Sequence, residues 1–149
     1  MTKQEFERLL NESLPLDSET VAFVATWDGQ RPRLRPLVFV REGLRFHFAT
    51  ARCSAKVREL TAFPHIESVV LLKQGGHLGQ LRLAGDVVEV KGKALHAAWD
   101  AGHGYDATMY FPGGLDDPDL IAFRLRPEHI AFSPPSGGET EELSAAWFS

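Results

Sequence analysis

The sequence predicts a mainly β chain: a six-stranded antiparallel split β-barrel of Greek-key type, decorated by peripheral helices. Three observations predict it. Short runs rich in β-branched and aromatic residues recur along the chain, Asp-Gly, Glu-Gly and Gln-Gly-Gly turns separate several of them, and helical spacing is confined to brief stretches. With 149 residues, 44% of them hydrophobic and 24% charged, the chain is read as a single ordinary globular domain over 1–149 rather than a disordered, collagenous or coiled-coil protein.

The elements follow in order. Thr2 and Glu5 are spaced as a capping box, and Phe6, Leu9 and Leu10 share a helical face, so residues 3–13 form an amphipathic helix that Pro15 ends. Val21–Asp28, Arg33–Arg41 and Leu44–Thr50 alternate as strands of a meander, joined at Asp28-Gly29 and Glu42-Gly43. Ser54 N-caps a short helix that stops before Phe63-Pro64. Two strands, Ile66–Lys73 and Leu78–Val90, flank Gln74-Gly75-Gly76. A helix near Lys93–Ala101 carries Trp99, a loop holds Phe111-Pro112-Gly113-Gly114, and Leu120–Arg126 with His129–Phe132 close the barrel as two strands. An acidic tail covers about 134–149.

The net charge of −4 argues against a nucleic-acid binder. Its distribution points elsewhere. Arg31, Arg33, Arg35, Arg41, Arg45, Arg52, Lys56 and Arg58 are half of the 16 cations, set against the single acid Glu42 within 31–58, whereas no Lys or Arg follows Arg126. Such a local field suits a small anionic ligand. Arg33 and Arg35 share one face of their strand, opposite Leu34, Val38 and Val40. Lys56 stands in the first turn of a helix, the end that favours anions, so its position makes sense when an anion binds there. A phosphate at that place can accept bonds from backbone N–H groups, the Thr50 and Ser54 hydroxyls, Lys56 and Arg35, although by spacing alone solvated surface cations and an ordinary N-cap give the same pattern.

Other candidates carry less. Cys53 is the lone cysteine, which excludes an internal disulfide and a Cys-based zinc site, and no His-acid pattern accompanies it as a nucleophile. The six His show no metal-binding spacing. No apolar run is long enough for a membrane span, and the polar start differs from a secretory signal, so the expectation is a cytoplasmic protein.

The stretches Ala25-Thr26-Trp27-Asp28-Gly29-Gln30-Arg31-Pro32-Arg33-Leu34-Arg35-Pro36-Leu37, Gly43-Leu44-Arg45-Phe46-His47-Phe48-Ala49-Thr50, Ser54-Ala55-Lys56-Val57-Arg58-Glu59-Leu60 and Leu81-Arg82-Leu83-Ala84-Gly85 resemble the FMN-binding split barrels of the pyridoxamine 5'-phosphate oxidase family. Tyr110-Phe111-Pro112-Gly113-Gly114 through Asp116-Asp117-Pro118 is similar to its general-stress-protein branch. The resemblance implies a homodimer holding FMN in clefts at the subunit interface. By position, Arg35 and Pro36 fall on the family's Arg-Pro strand, with Leu37 and Val38 running beside the flavin ring, and Thr50, Ser54 and Lys56 take the phosphate. Ala49 stands where related oxidases often carry Tyr, and Gln80 matches a Gln aimed at the ring. Trp99, Tyr110 and Phe111 border a loop that reaches the flavin of the neighbouring subunit.

The chain departs from the true oxidase in its ending. Only His129 remains there of the basic residues and His that hold the substrate phosphate and ring. The implied function is an FMN-dependent oxidoreductase acting on a small molecule other than a B6 vitamer, with NAD(P)H as electron donor. Flavin chemistry asks for no catalytic constellation, and no catalytic residue or metal ligand is assigned. A non-catalytic flavin sensor or carrier, and a haem- or deazaflavin-binding barrel, stand as alternatives.

Overall fold

The computed structural model describes residues 1–16 and 19–149. Helix α1 (Lys3–Ser13) starts with the capping box: Glu5 N–H donates to Thr2 Oγ1 at 3.2 Å, and Thr2 N–H donates to the Glu5 carboxylate at 2.6 Å. Its Phe6 and Leu10 are buried, each side chain contributing about 2 kcal/mol by removal from water.

Seven strands follow: β1 (Thr20–Trp27), β2 (Pro32–Glu42), β3 (Arg45–Ala51), β4 (His65–Gln74), β5 (His77–Val90), β6 (Leu120–Ser133) and β7 (Glu141–Leu143). They lie in the order β3-β2-β1-β4-β5-β6-β7, and a further β3–β6 pairing closes the first six into an antiparallel barrel. Turn chemistry sets the hairpins. Asp28 Oδ1 accepts from the N–H groups of Gln30 and Arg31, and Gly75 and Gly76 both take positive φ in the two-residue β4–β5 turn. The barrel interior holds Val24, Phe39, Phe46, Phe48, Leu81, Leu83 and Leu125, joined by Val57 and Leu60 of helix α2 (Ala55–Ala62).

Closure is incomplete at one seam. β2 pairs with β1 along Pro32–Phe39, but with β3 only through Val40↔His47, Arg41↔Phe46 and Glu42↔Arg45. Beyond that point β3 turns to β6, from His47↔Arg124 to Ala51↔Leu120. The register would set Val38 against Ala49, Leu37 against Thr50 and Pro36 against Ala51, yet these pairs are not made. Among the described residues, the backbone groups that β2 and β3 turn toward each other there lack ladder partners.

Helix α3 (Gly92–Ala101) covers the outside of this seam. Its Leu95, Ala98 and Trp99 are buried, and Leu95 and Trp99 form a second cluster with Val40, Leu120 and Ala122. The outer face of β2, β1 and β4 is uncovered and apolar. The register places Pro36 beside Phe23 and Phe23 beside Val69, and Val21 beside Val38. Val21, Phe23, Leu34 and Leu71 on this face are 44%, 38%, 72% and 41% exposed.

The expectations for the closing strands and the basic stretch need correction. The two closing strands are one, β6, because a register shift at Ala84/Gly85 absorbs the Pro127-Glu128 step. Gly85 is required there, since a Cβ would meet the Arg126 carbonyl. The acidic tail folds back: β7 pairs with β6, and Leu143 and Phe148 are buried. The basic stretch is also not one field. Arg41 is buried and donates to the Leu14 carbonyl and Asn11 Oδ1, both at 2.9 Å, tying down the end of α1. Arg52 donates to the carbonyls of Pro118 and Leu120, and Arg31 and Arg33 lie near Asp28.

Candidate functional site

The unpaired stretch of β2 and β3 borders a cavity of about 280 Å³. Pro36, Leu37 and Val38 form one side, Ala49, Thr50 and Ala51 the other, and Tyr105, Tyr110 and Phe111 from the segment after α3 close over it. Its walls are largely apolar, with open backbone donors and acceptors at the strand edges. A flat heteroaromatic ring with polar edges meets both demands.

Thr50 connects this slot to a cationic corner. Lys56 Nζ donates to Thr50 Oγ1 at 2.7 Å. Lys56 makes no ion pair among the described residues, and burial, followed by the nearby Arg35 charge, holds its pKa below the ordinary lysine value. Ser54 stands at the N-cap of α2 with extended φ and ψ, but its side chain makes no cap bond. Its Oγ is buried without a partner. A buried hydroxyl is almost always bonded in a native protein, so the orphan at Ser54, two residues before Lys56 at the start of a helix, is a group that could bond an anionic acceptor. The expected N-cap at Ser54 therefore holds in position and fails in bonding.

Arg35, expected at the phosphate, is bonded within the chain. Its guanidinium donates to Glu59 at 3.0 Å and to Thr26 Oγ1 at 3.1 Å, while the Thr26 hydroxyl donates to Glu59 at 2.7 Å. Burial pushes the Glu59 carboxyl up, but the bonds from Arg35 and Thr26 outweigh it and leave the pKa below the usual range. Arg35 thus spends its charge on α2 and backs Lys56. Arg33 is exposed near Asp28.

Two further residues stand apart from the cavity. Trp99 is buried behind it: the indole N–H donates to the Tyr105 carbonyl at 3.0 Å, and the two rings meet edge-on at 5.4 Å. It supports the lid instead of touching the slot. Gln80 lies in the outer-face row Val38, Val21, Leu71, Gln80, three strands from the cavity, or roughly 14 Å away. The loop expected to reach a neighbouring subunit places Tyr110 and Phe111 on the chain's own cavity.

Sequence reasoning missed Glu19, Ala51 and Tyr105, which also line the slot. Burial, then Tyr110, pushes the Tyr105 phenol up to about 12, so it stays a proton donor across the physiological range. Only the splaying of β2 from β3 could have revealed them, and no local pattern encodes that. Cys53 is exposed. Among the described residues no group of three potential ligands could hold a metal ion, and no helix is long and apolar enough to cross a membrane.

The family model for pyridoxamine 5'-phosphate oxidase matches residues 3–133. The chain belongs to this family. No curated protein matches it. Among solved structures, a haem-binding protein from Mycobacterium smegmatis superposes with a TM-score of 0.78 at 17% identity, covering 99% of this chain. The chain spans only 60% of that protein's length. General stress protein 26 from Bacillus anthracis strain Sterne gives 0.67 at 15% identity, over 93% of this chain and 99% of its own. A pyridoxamine 5'-phosphate oxidase-related, FMN-binding protein from Nostoc punctiforme gives 0.63 at 16% identity, over 95% of each chain. Identities this low speak to the fold. Within it, relatives are named for binding FMN and for binding haem, so the chain's own residues must decide between them.

Proposed function

We propose that this pyridoxamine 5'-phosphate oxidase family member is an FMN-dependent oxidoreductase that works as a homodimer on a small molecule. The observation that carries the reading is the orphaned Ser54 hydroxyl beside Lys56 and Thr50. Those three groups and the first-turn N–H groups of α2 suit a phosphate, which FMN bears and haem lacks. The adjoining slot accepts the ring: Leu37, Val38 and Ala49 would flank it, while backbone groups at the seam meet its polar edge. When bound, FMN would supply reversible one- and two-electron transfer, with a reduced nicotinamide as the donor. The chain's part is to anchor, orient and shield. Tyr105, Tyr110 and Phe111 border the slot, Arg35 is held to α2 by Glu59, and Lys56 supplies the corner's positive charge.

The homodimer rests on the outer face of β2, β1 and β4. Val21, Phe23, Leu34 and Leu71 form an apolar surface of the kind a partner covers. Pro36 borders both this face and the cavity, so a copy packed there would also wall the slot. Gln80 lies on the same face, which is where a two-fold partner would carry it toward the other chain's ring.

A second reading, haem, is favoured by the likeness to the Mycobacterium smegmatis protein. One spectrum separates the two. Protein incubated with FMN and desalted should keep flavin absorption bands, and it should lose them in Lys56→Met. A Soret band retained in place of flavin bands would overturn the proposal.

A further inference from the structure

The slot has a neighbour. A second compartment of about 200 Å³ shares Glu19, Val38 and Tyr105 with it and continues along Phe39 and Val40 to the Gly102-His103-Gly104 loop. This loop is shaped by contact. A Cβ on Gly102 would lie 2.6 Å from the Arg41 carbonyl, and one on Gly104 would strike the Trp99 ring. His103, between them, takes φ 49, the left-handed region that side chains rarely adopt. Both glycines therefore let the loop sit tight on β2 and Trp99, while His103 stays at the compartment wall.

The compartment's charge is one-sided. Among the described residues that line it, Glu19 is the one carboxylate and there is no Lys or Arg side chain; His103 adds an imidazole and Tyr105 a phenol that remains protonated. Its volume lies below the roughly 300–1,000 Å³ of ordinary ligand pockets, which limits any occupant to about one ring. Phosphorylated or carboxylated substrates would meet Glu19 with no Lys or Arg side chain among the described lining residues to compensate it.

We propose that this second compartment is the substrate subsite beside the flavin, and that Glu19 makes it selective for one-ring cations of the N-alkylpyridinium class over anions of the same shape. The inference rests on the flavin reading for the word substrate; the selectivity rests on the chain's own walls. Glu19 borders both compartments, so it faces whatever lies against the edge of the ring site. Tyr105 stands at the same junction as a hydrogen-bond donor.

Three probes of similar shape test it: 1-methylnicotinamide, nicotinamide and nicotinate, titrated calorimetrically into the FMN-saturated protein. The cation should bind about tenfold more tightly than the anion, with the neutral ring between them. Glu19→Gln should bring the cation-to-anion ratio close to one, and Glu19→Lys should reverse it. Equal affinities in the wild-type protein, or a ratio unchanged in Glu19→Gln, overturn the inference. Failure of the flavin reading is seen separately and earlier, as protein that stays colourless after exposure to FMN. The titration of that colourless form then decides the selectivity alone, by the same ratios.

Discussion

Replacing Lys56 with Met separates ligand binding from folding. Among the described residues the wild-type ammonium group bonds only to Thr50; it is partly buried and sits near the Arg35 and Glu59 charges. Losing the Thr50 bond costs about 1 kcal/mol. Removing a partly desolvated charge and its repulsion from Arg35 returns a similar amount, so stability should move by no more than about 1 kcal/mol, or about 2–4 °C in Tm. A charge-assisted bond to phosphate is worth about 1.5–3 kcal/mol, so FMN affinity should fall roughly 10- to 150-fold. Riboflavin, which has the ring and no phosphate, is the control. Flavin fluorescence titrations of both ligands against both proteins give the answer: FMN binding should collapse toward riboflavin binding in Lys56→Met, and riboflavin binding should not change. Equal losses for the two ligands would refute the phosphate corner. The pH dependence has a defined sign. Because the folded protein holds the lysine below its ordinary pKa, its charge weakens the fold near neutrality, and that penalty disappears as the pH rises through the folded value.

Four further outcomes are expected. Glu59→Gln should lower stability by about 1–2 kcal/mol, since Arg35 loses its carboxylate, yet tighten FMN binding a few-fold by leaving the corner more positive; weaker FMN binding would contradict this. Glu59 contributes stability above the ordinary carboxylate pKa and loses it as the pH falls through its lower folded value, so an acid titration of unfolding should be less steep in Glu59→Gln. Arg41→Met removes bonds to the Leu14 and Gly43 carbonyls and to Asn11, and should cost about 2–4 kcal/mol in a denaturant melt; a loss under about 1 kcal/mol would mean that the end of α1 is held by packing alone. Phe23→Lys, on the uncovered face, should give a monomer by light scattering under conditions in which the wild-type protein is expected to be a dimer.

Local chemistry made much of the fold legible. The capping box at Thr2 and Glu5, the Asp28 turn and the two glycines of the β4–β5 turn act within a few residues, so they appear in the sequence as they do in space. The slot was legible in part. Pro36, Leu37, Val38, Ala49, Thr50 and Phe111 all line it, and Ser54 and Lys56 adjoin it through Thr50. What escaped depends on distant partners. Arg35 reads as a free cation until α2 brings Glu59 to it, and Arg41 as a surface charge until α1 ends against it. Trp99 is near the lid in sequence and behind it in space, because α3 lies on the outer wall and sends the indole inward. Gln80 shares a row with Val38 only through two intervening strands.

The open seam has a consequence for the protein's lifetime. A barrel ordinarily hides every strand edge, but here β2 and β3 each present a short edge to the slot, and Pro36 has no N–H with which to bridge them. Exposed edges of this kind recruit strands from other chains. A molecule that filled the slot would then also guard these edges, so its supply would bear on how many copies persist and how many are lost to aggregation or proteolysis.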